Sequence, residues 1–310
     1  MGGLLNALGQ KLAERWLTLL VLPGALFLAA AAAAHTLGQA HALDRRLLVS
    51  RITEWTDKPA VSTVGGQVVL LGAVLAAAAV AGLAAQGAGA LLQRAVLAAE
   101  WRSWPGPLRR AAHALVTRRR ARWTAAATRY HQQLNDEAQQ LARTGRRADP
   151  SIRRGLHRAM HRVAAEEPDR PTWSGDCLNA AAVRLERDRH LELPLVWPHL
   201  WLVLSETARA EITAAEQALT RATTLGGWAL LYAPLTAWWW PAAPLAVTLA
   251  LVARHRVRTA TDTYAQLLVA AVLLHAGDLA EQLRIEHSGP LDTALGEALT
   301  DHLRTSTPRT

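Results

Sequence analysis

Two histidines have the spacing that metal chemistry uses. His157 and His161 lie four residues apart in "GLHRAMHR", which puts both imidazoles on one face of a helix. A zinc-protease motif needs a glutamate beside the first histidine, and arginine stands there instead. His275 and Asp278 are three residues apart, and we expect them to form a surface pair. We therefore predict no metal site and no bound cofactor.

The single cysteine is the remaining candidate nucleophile. Cys177 directly follows Asp176, and a neighbouring carboxylate raises the pKa of a thiol, whereas a reactive cysteine needs it lowered. The chain also lacks a phosphate-binding loop, a nucleophile elbow and a dinucleotide fingerprint. We predict that the protein has no catalytic residues and is not an enzyme.

A cluster of arginines in "RRAAHALVTRRRARW" is the strongest charge signal. Arginine suits phosphate, so anionic lipid headgroups, an acidic protein partner and nucleic acid all remain open. The cluster follows an apolar segment directly, a position that favours lipid over an acidic partner and disfavours nucleic acid. The predicted contacts are Arg109, Arg110, Arg118, Arg119, Arg120 and Arg122.

Composition places these residues in a basic, Ala- and Leu-rich chain. Its 310 residues are 51% hydrophobic and carry a formal net charge of +9. Lysine occurs twice, at Lys11 and Lys58, among 34 basic residues. A preference for Arg, Ala, Gly and Pro is what a GC-rich bacterial genome imposes, and the positive charge indicates acidic partners.

Two apolar segments in the first hundred residues are long enough to cross a bilayer, which takes about 20 residues. The first covers residues 16–35, and the second covers about 61–86 within a stretch that is uncharged from Val61 to Gln93. Lys11 and Arg15 before the first segment also fit a cleaved signal peptide, but its length and the further apolar segments favour a membrane span.

Charge predicts the orientation of these spans. Fifteen arginines and four acidic residues lie between Arg94 and Arg158, and positive charge beside a span is retained in the cytoplasm. The second span therefore ends inside, and the loop from Thr36 to Ala60 lies outside although it holds four basic residues. The protein is predicted to be a multi-pass protein of a bacterial inner membrane with a cytoplasmic N-terminus.

The stretch "LTAWWWPAAPLAV" interrupts a third apolar run, residues 225–254. A single helix of that length would be about 43 Å long and would put its tryptophans near the bilayer centre, although tryptophan prefers the interface. Proline disfavours helix in the residue before it. We favour a hairpin that turns at Pro241 and Pro244 and returns the C-terminus to the cytoplasm; one tilted span is the alternative. Predicted interface anchors are Trp16, Trp101, Trp104, Trp238, Trp239 and Trp240.

The region between the apolar halves reads as helix throughout. Pro105 and Pro107 are expected to interrupt the helix after the second span, and a long helix is expected from Leu108 to about Thr144. Asp149, Ser174 and Ser205 are predicted to begin later helices. The helix after Ser205 is expected to run directly into the third apolar segment. Residues past Arg304 are expected to be disordered.

The C-terminal part of the chain resembles a group of uncharacterised bacterial multi-pass membrane proteins. The residues that carry the resemblance are "LVWPHLWLVLSETARAEITAAEQAL", the tryptophan-rich paired segment, and "TYAQLLVAAVLLHAGDLAEQL". They include the Trp197-Pro198 segment, a helix from Ser205 into a membrane hairpin, and a cytoplasmic helix with Tyr264 near its start. The resemblance covers about the last 130 residues and implies architecture alone.

These observations predict an all-α polytopic membrane protein with about four spans in a two-plus-two arrangement. The predicted parts are an N-terminal membrane hairpin (1–99), a basic helical cytoplasmic domain (100–224), a Trp/Pro membrane hairpin (225–254) and C-terminal cytoplasmic helices with a tail (255–310). No span has an ionisable residue at its centre, which argues against ion-coupled transport. The expected function is that of a non-enzymatic scaffold, sensor or partner subunit. A homo-oligomeric pore and a membrane-tethered DNA-handling component are the alternatives.

Overall fold

The computed structural model describes residues 21–56, 63–287 and 289–306. Within these ranges the protein is all-helical and contains no strand, which confirms the all-α part of the predicted fold class. The helices are α1 (Leu22–Leu37), α2 (Arg45–Thr56), α3 (Val64–Leu97), α4 (Gly106–Thr144), α5 (Pro150–Val163), α6 (Trp173–Arg189), α7 (Leu193–Val203), α8 (Glu206–Tyr232), α9 (Ala242–Gln282) and α10 (Thr293–Ser306). Two short 3₁₀ segments, Trp101–Ser103 and Ala233–Ala237, lie between them.

The chain divides into two compact units. One, the apolar unit, comprises residues 1–93 and 220–256, and the other, the basic unit, comprises residues 94–219 and 257–310. The basic unit thus combines the two segments that the sequence separates as a cytoplasmic domain and C-terminal helices. Helices α3, α8 and α9 each contribute residues to both units.

Two of the described helices are long and apolar enough to cross a membrane. They are α3, of 34 residues, and α9, of 41 residues, while α1 and α7 are apolar but shorter. Only 22% of the most apolar part of α3 is buried, so α3 differs from the core helix of a soluble protein, which would be mostly covered. Large side chains are exposed along it, including Val64 at 78% and Val69 at 73%.

The apolar unit holds its helices close together through small residues. Ala81 and Ala85 of α3 form a buried cluster with Trp228 and Tyr232 of α8 and Ala246 of α9. A Cβ atom at Gly89 would lie 2.7 Å from the Cα of Thr224, so α3 and α8 contact each other backbone to backbone there. Such close approach is what small residues permit between membrane helices.

The third apolar run is not one continuous helix. Helix α8 ends at Tyr232, a 3₁₀ turn covers Ala233–Ala237, and α9 begins at Ala242, directly after Pro241. Pro244 lies in the first turn of α9, where a proline removes no intrahelical hydrogen bond. Beyond Ala253, α9 continues unbroken through "RHRVR" into the basic unit.

The main core of the basic unit is made of leucines from four helices. Leu191, between α6 and α7, is fully buried with Leu200 of α7, Val272 of α9 and Leu299 of α10. Gly296 of α10 lies against the carbonyl of Arg189 so closely that a Cβ atom would overlap it. The C-terminal helix, which the sequence assigns to a separate segment, therefore packs on α6 and α7.

Two of the three predicted N-caps are confirmed and one is wrong. Asp149 caps α5 by accepting a hydrogen bond from the N–H of Ser151, and Ser205 accepts one from the N–H of Ala208 before α8, as predicted. Ser174 is not a cap, because α6 begins at Trp173 and Thr172 accepts from the N–H of Gly175. Disorder is predicted past Arg304, but α10 continues through Thr305 to Ser306; the rest of that tail and the anchor Trp16 lie outside the described residues.

Candidate functional site: the arginine-bearing helix and its buried centre

The arginine cluster begins where α3 ends. After Leu97 the chain turns at Ala98, which has a φ of 42°, and Pro105 in an extended conformation precedes α4. Trp101 lies in this elbow and is only 7% exposed. Its indole N–H donates to the carbonyl of Asp169 at 3.0 Å. The structure thus places Trp101 inside the protein, unlike the surface position expected of a lipid anchor, whereas Trp104 is half-buried beside it.

Arg119 forms the buried centre of the basic unit. Its Nη2 donates to Asp176 Oδ2 at 2.7 Å and to the carbonyl of Val163 at 2.9 Å. Asp176 is 4% exposed and also accepts from the backbone N–H groups of Asp169 and Arg170 at 2.9 and 2.8 Å. Burial raises the pKa of Asp176, and the hydrogen bonds from Arg170, Arg119 and Asp169 oppose that rise. Arg119 therefore ties α4 to α6 and cannot contact an outside partner.

The same loop holds the C-terminal end of α3. A helix ends with carbonyl groups that have no intrahelical partner. Here Thr172 Oγ1 donates to the carbonyl of Val96, and Arg170 Nη1 donates to the carbonyl of Leu97 at 3.3 Å. Gly175 is needed beside them, because a Cβ atom there would lie 2.5 Å from the Leu97 oxygen. Residues 169–176 thus bind both the end of α3 and the middle of α4.

The other predicted arginines remain at the surface. Arg120 pairs with Glu167 at 2.8 Å and with Asp169 at 3.6 Å while staying half exposed. Among the described residues no ion pair is formed by Arg109, Arg110, Arg118 or Arg122, and all four are exposed. Four of the six predicted arginines are thus free to meet an acidic surface.

Arg129 extends this exposed group. Residues 118, 122 and 129 are separated by four and seven positions, so they share one face of α4. That face is opposite to the buried one, which carries Ala112, Val116 and Ala127. We call the three arginines the arginine face. Helical periodicity applied to "VTRRRARWTAAATR" would have separated Arg119 from this set, since Arg119 lies on the side of Val116 and Trp123.

The tryptophan corner of the apolar unit is held by one glutamine. Gln39, in the loop after α1, donates through Nε2 to the carbonyls of Thr236 and Ala237 at 2.9 and 3.0 Å and accepts from the N–H of Trp240 at 3.1 Å. Trp239 Nε1 donates to the carbonyl of Ala42 at 2.9 Å. These bonds satisfy the backbone of a turn that has left the helical pattern, a requirement in any apolar environment.

Two tryptophans of that corner face outward. Trp238 and Trp240 are 60% and 50% exposed, while Trp239 is held by its hydrogen bond. Aromatic side chains exposed beside polar backbone are suited to a membrane interface.

The structure also locates Cys177, His275 and Asp278, which were considered above as candidates for catalysis or metal binding. Burial, followed by the charge of Asp262, raises the pKa of Cys177 to about 11. His275 Nδ1 lies 2.7 Å from Asp278 Oδ2 at the surface, the pair that the spacing predicts. In the described ranges no group of three or more His, Cys, Asp and Glu residues could hold a metal ion.

Comparison of the chain with protein-family models, with curated proteins and with solved structures gives no match. The function is therefore argued from the geometry above. What sequence reasoning missed is Asp176, Thr172 and Gln39, each of which acts on residues distant in the chain. A hint was available in the position of Asp176 inside the first turn of an otherwise small-residue helix.

Proposed function

We propose that the protein is a non-enzymatic integral membrane protein whose basic unit presents the arginine face of α4 to an acidic partner at the cytoplasmic surface. The observation that carries this proposal is the separation of roles among the arginines. Arg119 pairs with Asp176 inside the fold, whereas Arg118, Arg122 and Arg129 lie exposed along an adjacent face of the same helix.

Support for membrane insertion comes from the exposed surface of the apolar unit. Leu22, Leu26 and Leu251 are 60%, 62% and 61% exposed, as are the valines of α3 described above. A soluble protein rarely exposes a contiguous apolar surface of this extent. Hydrocarbon would cover it at no cost, which favours four spans: α1 with the residues before it, α3, and the two arms that meet at the tryptophan corner.

Support for a returning third segment comes from chain connectivity. Residues 94–219 and 257–310 belong to one folded unit, and a folded unit lies on one side of a membrane. The chain between residues 220 and 256 must then enter and leave from the same side. Its break at Ala233–Pro241 provides the turn. With fifteen arginines between Arg94 and Arg158, the positive-inside rule makes that side the cytoplasm.

The partner is proposed to be a protein with an acidic surface, together with anionic lipid near the elbow. Arg109 and Arg110 follow Trp104 closely and suit headgroups, at about 1 kcal/mol per basic residue near the surface. The arginine face begins nine residues later, which is about 13 Å along the helix. For these arginines, which are exposed and form no ion pair within the described residues, we propose a protein partner.

The test is the native mass of the protein extracted from its own membranes in mild detergent. We expect a monomer or dimer that carries a second polypeptide, and loss of that polypeptide in R118E/R122E. The matched control is R143E/R146E, which reverses two exposed charges at the far end of α4. A large homo-oligomer without a second polypeptide would favour the pore instead, and retention on DNA that is lost with salt would favour a DNA-handling role.

A further inference from the structure

A groove of about 480 Å³ lies between α4 and α5. These two helices form a packed antiparallel pair within the basic unit. Tyr130 lines the groove from α4, and Arg153, Arg154, His157 and Arg158 line it from α5. The groove does not include the arginine face, because Tyr130 is on the same side of the helix as the buried Ala112.

Positive charge in this groove is incompletely neutralised. Arg153 pairs with Glu137, at 3.5 Å. In the part of the chain that the structure describes, Arg154 and Arg158 form no ion pair, and both are exposed. Asp149 is near enough to Arg154 for its pKa to be lowered slightly by that charge, but its main partners are the hydroxyl and N–H of Ser151. The groove therefore keeps two arginines available for a ligand.

These two arginines lie close enough to repel each other. Arg154 and Arg158 are four residues apart on α5, a spacing that brings like charges together at the helix surface. Arg158 Nε points back to the carbonyl of Arg154 at 3.3 Å, which keeps the two side chains on one flank. A multivalent anion bound between them would replace repulsion by attraction, and their planar guanidinium groups match its oxygen atoms.

Aromatic and imidazole groups close the other side of the groove. The rings of Tyr130 and His157 are 5.4 Å apart, and those of His157 and His161 are 4.1 Å apart. Burial, together with the charges of His157 and Arg184, lowers the pKa of His161, and Glu166 opposes this. The rings of His157 and His161 are tilted by 46°, and Tyr130, which lines the groove, carries a hydroxyl that can donate a hydrogen bond.

We propose that the groove binds a phosphate monoester, with Arg154 and Arg158 as its counter-ions and Tyr130 as a hydrogen-bond donor. The size of the groove suits one phosphoryl group with a small substituent. The arginines are grouped around one groove and are not spread along a track, which argues against a nucleic-acid strand. The same headgroup chemistry is found in free phosphorylated metabolites and in phosphatidic acid, so both are sources for the ligand.

The first experiment measures binding of glycerol phosphate to the full chain in neutral detergent by calorimetry. We expect saturable binding that weakens about tenfold or more in R154Q/R158Q, since each charged hydrogen bond contributes appreciably to affinity. The matched control, R143Q/R146Q, removes the same charge from two exposed positions in the last turn of α4 and just after it, and is expected to change the affinity less than twofold. Tyr130→Phe keeps the ring packing and should weaken binding by a smaller factor.

The second arm uses nanodiscs of neutral lipid with and without phosphatidic acid. Retention of phosphatidic acid that R154Q/R158Q abolishes and R143Q/R146Q preserves, with no binding of glycerol phosphate, would assign the lipid as the source. Binding of glycerol phosphate assigns the free metabolite class. Binding of neither probe, or equal weakening by the two double variants, would overturn the proposal. The result is distinguishable from that of the acidic-partner function, because the two tests change different arginines, Arg154 and Arg158 on α5 in one and Arg118 and Arg122 on α4 in the other.

Discussion

At the scale of single residues, the ion pair between Arg119 and Asp176 is the most informative feature of the basic unit. Arg119 Nη2 and Asp176 Oδ2 are 2.7 Å apart, and the side chain of Asp176 is 4% exposed. Breaking a buried pair by removing one charge leaves the other uncompensated, which is far more costly than losing an exposed pair. The pair joins α4 to α6, and Arg119 also donates to the carbonyl of Val163 at the end of α5. Asp176 in addition fixes the loop that holds the end of α3, so four helices depend on this pair.

Asp176→Asn is therefore expected to lower the free energy of unfolding by about 3 kcal/mol. In a protein of this size the melting temperature in detergent should fall by about 5 °C or more. Glu167→Gln removes the exposed partner of Arg120 and should cost less than about 1 kcal/mol. Equal melting temperatures for the two variants would contradict the role assigned to Asp176. The double variant R119Q/D176N should lose less than the sum of its parts.

Cys177 provides a second prediction at this scale. Because burial and Asp262 raise its pKa to about 11, about 0.1% of the thiol is ionised at pH 8, and the thiolate is the species that reacts. Alkylation by iodoacetamide at pH 8 should therefore be slow in the folded protein and should accelerate as the pH rises toward 11. Mass spectrometry of the intact chain measures the modified fraction. The denatured chain serves as the reference, and equal rates in both states would refute the prediction.

At the scale of elements, the packing of α3 depends on which face of the helix each glycine occupies. Gly87 and Gly89 are two residues apart in the same helix. A Cβ atom at Gly87 meets nothing within 4 Å, whereas one at Gly89 would lie 2.7 Å from the Cα of Thr224 and 2.9 Å from its backbone nitrogen. Both substitutions to alanine give the same gain in helix propensity, so their difference isolates the helix contact.

Gly89→Ala should consequently destabilise the apolar unit, and Gly87→Ala should leave it unchanged or stabilise it by up to about 1 kcal/mol. The expected order of melting temperatures in mild detergent is Gly87→Ala at or above the parent chain and Gly89→Ala below it. A Gly89→Ala protein as stable as the Gly87→Ala protein would show that α3 and α8 do not approach each other this closely.

At the scale of the whole molecule, the two-unit division is the basis of the proposed topology. The basic unit collects residues from both sides of the segment 220–256. A reporter that is active only in the periplasm should therefore be inactive at the C-terminus and also inactive when inserted after Gly145, in the exposed turn between α4 and α5. The same reporter inserted after His41 should be active. Activity at the C-terminus but not after Gly145 would exclude the returning segment.

Much of the helical architecture follows from the sequence alone, because its signals are local. Prolines at positions 105 and 107, Gly145, and the caps Asp149 and Ser205 delimit helices through groups only a few residues away. The break near Pro241 is local in the same sense. Ser174 misled the prediction since Thr172, two residues earlier, offers the same capping chemistry and also reaches the carbonyl of Val96.

Only the tertiary structure decided which polar groups pair with one another. Arg119 meets Asp176 across 57 residues, Thr172 meets Val96 across 76, and Gln39 meets Thr236 across 197. The sequence determined that the chain is helical, apolar in long runs and rich in arginine. Helical periodicity places Arg119 on the side of Val116 and Trp123, away from Arg118, but only the packing of α6 against α4 supplies its partner Asp176.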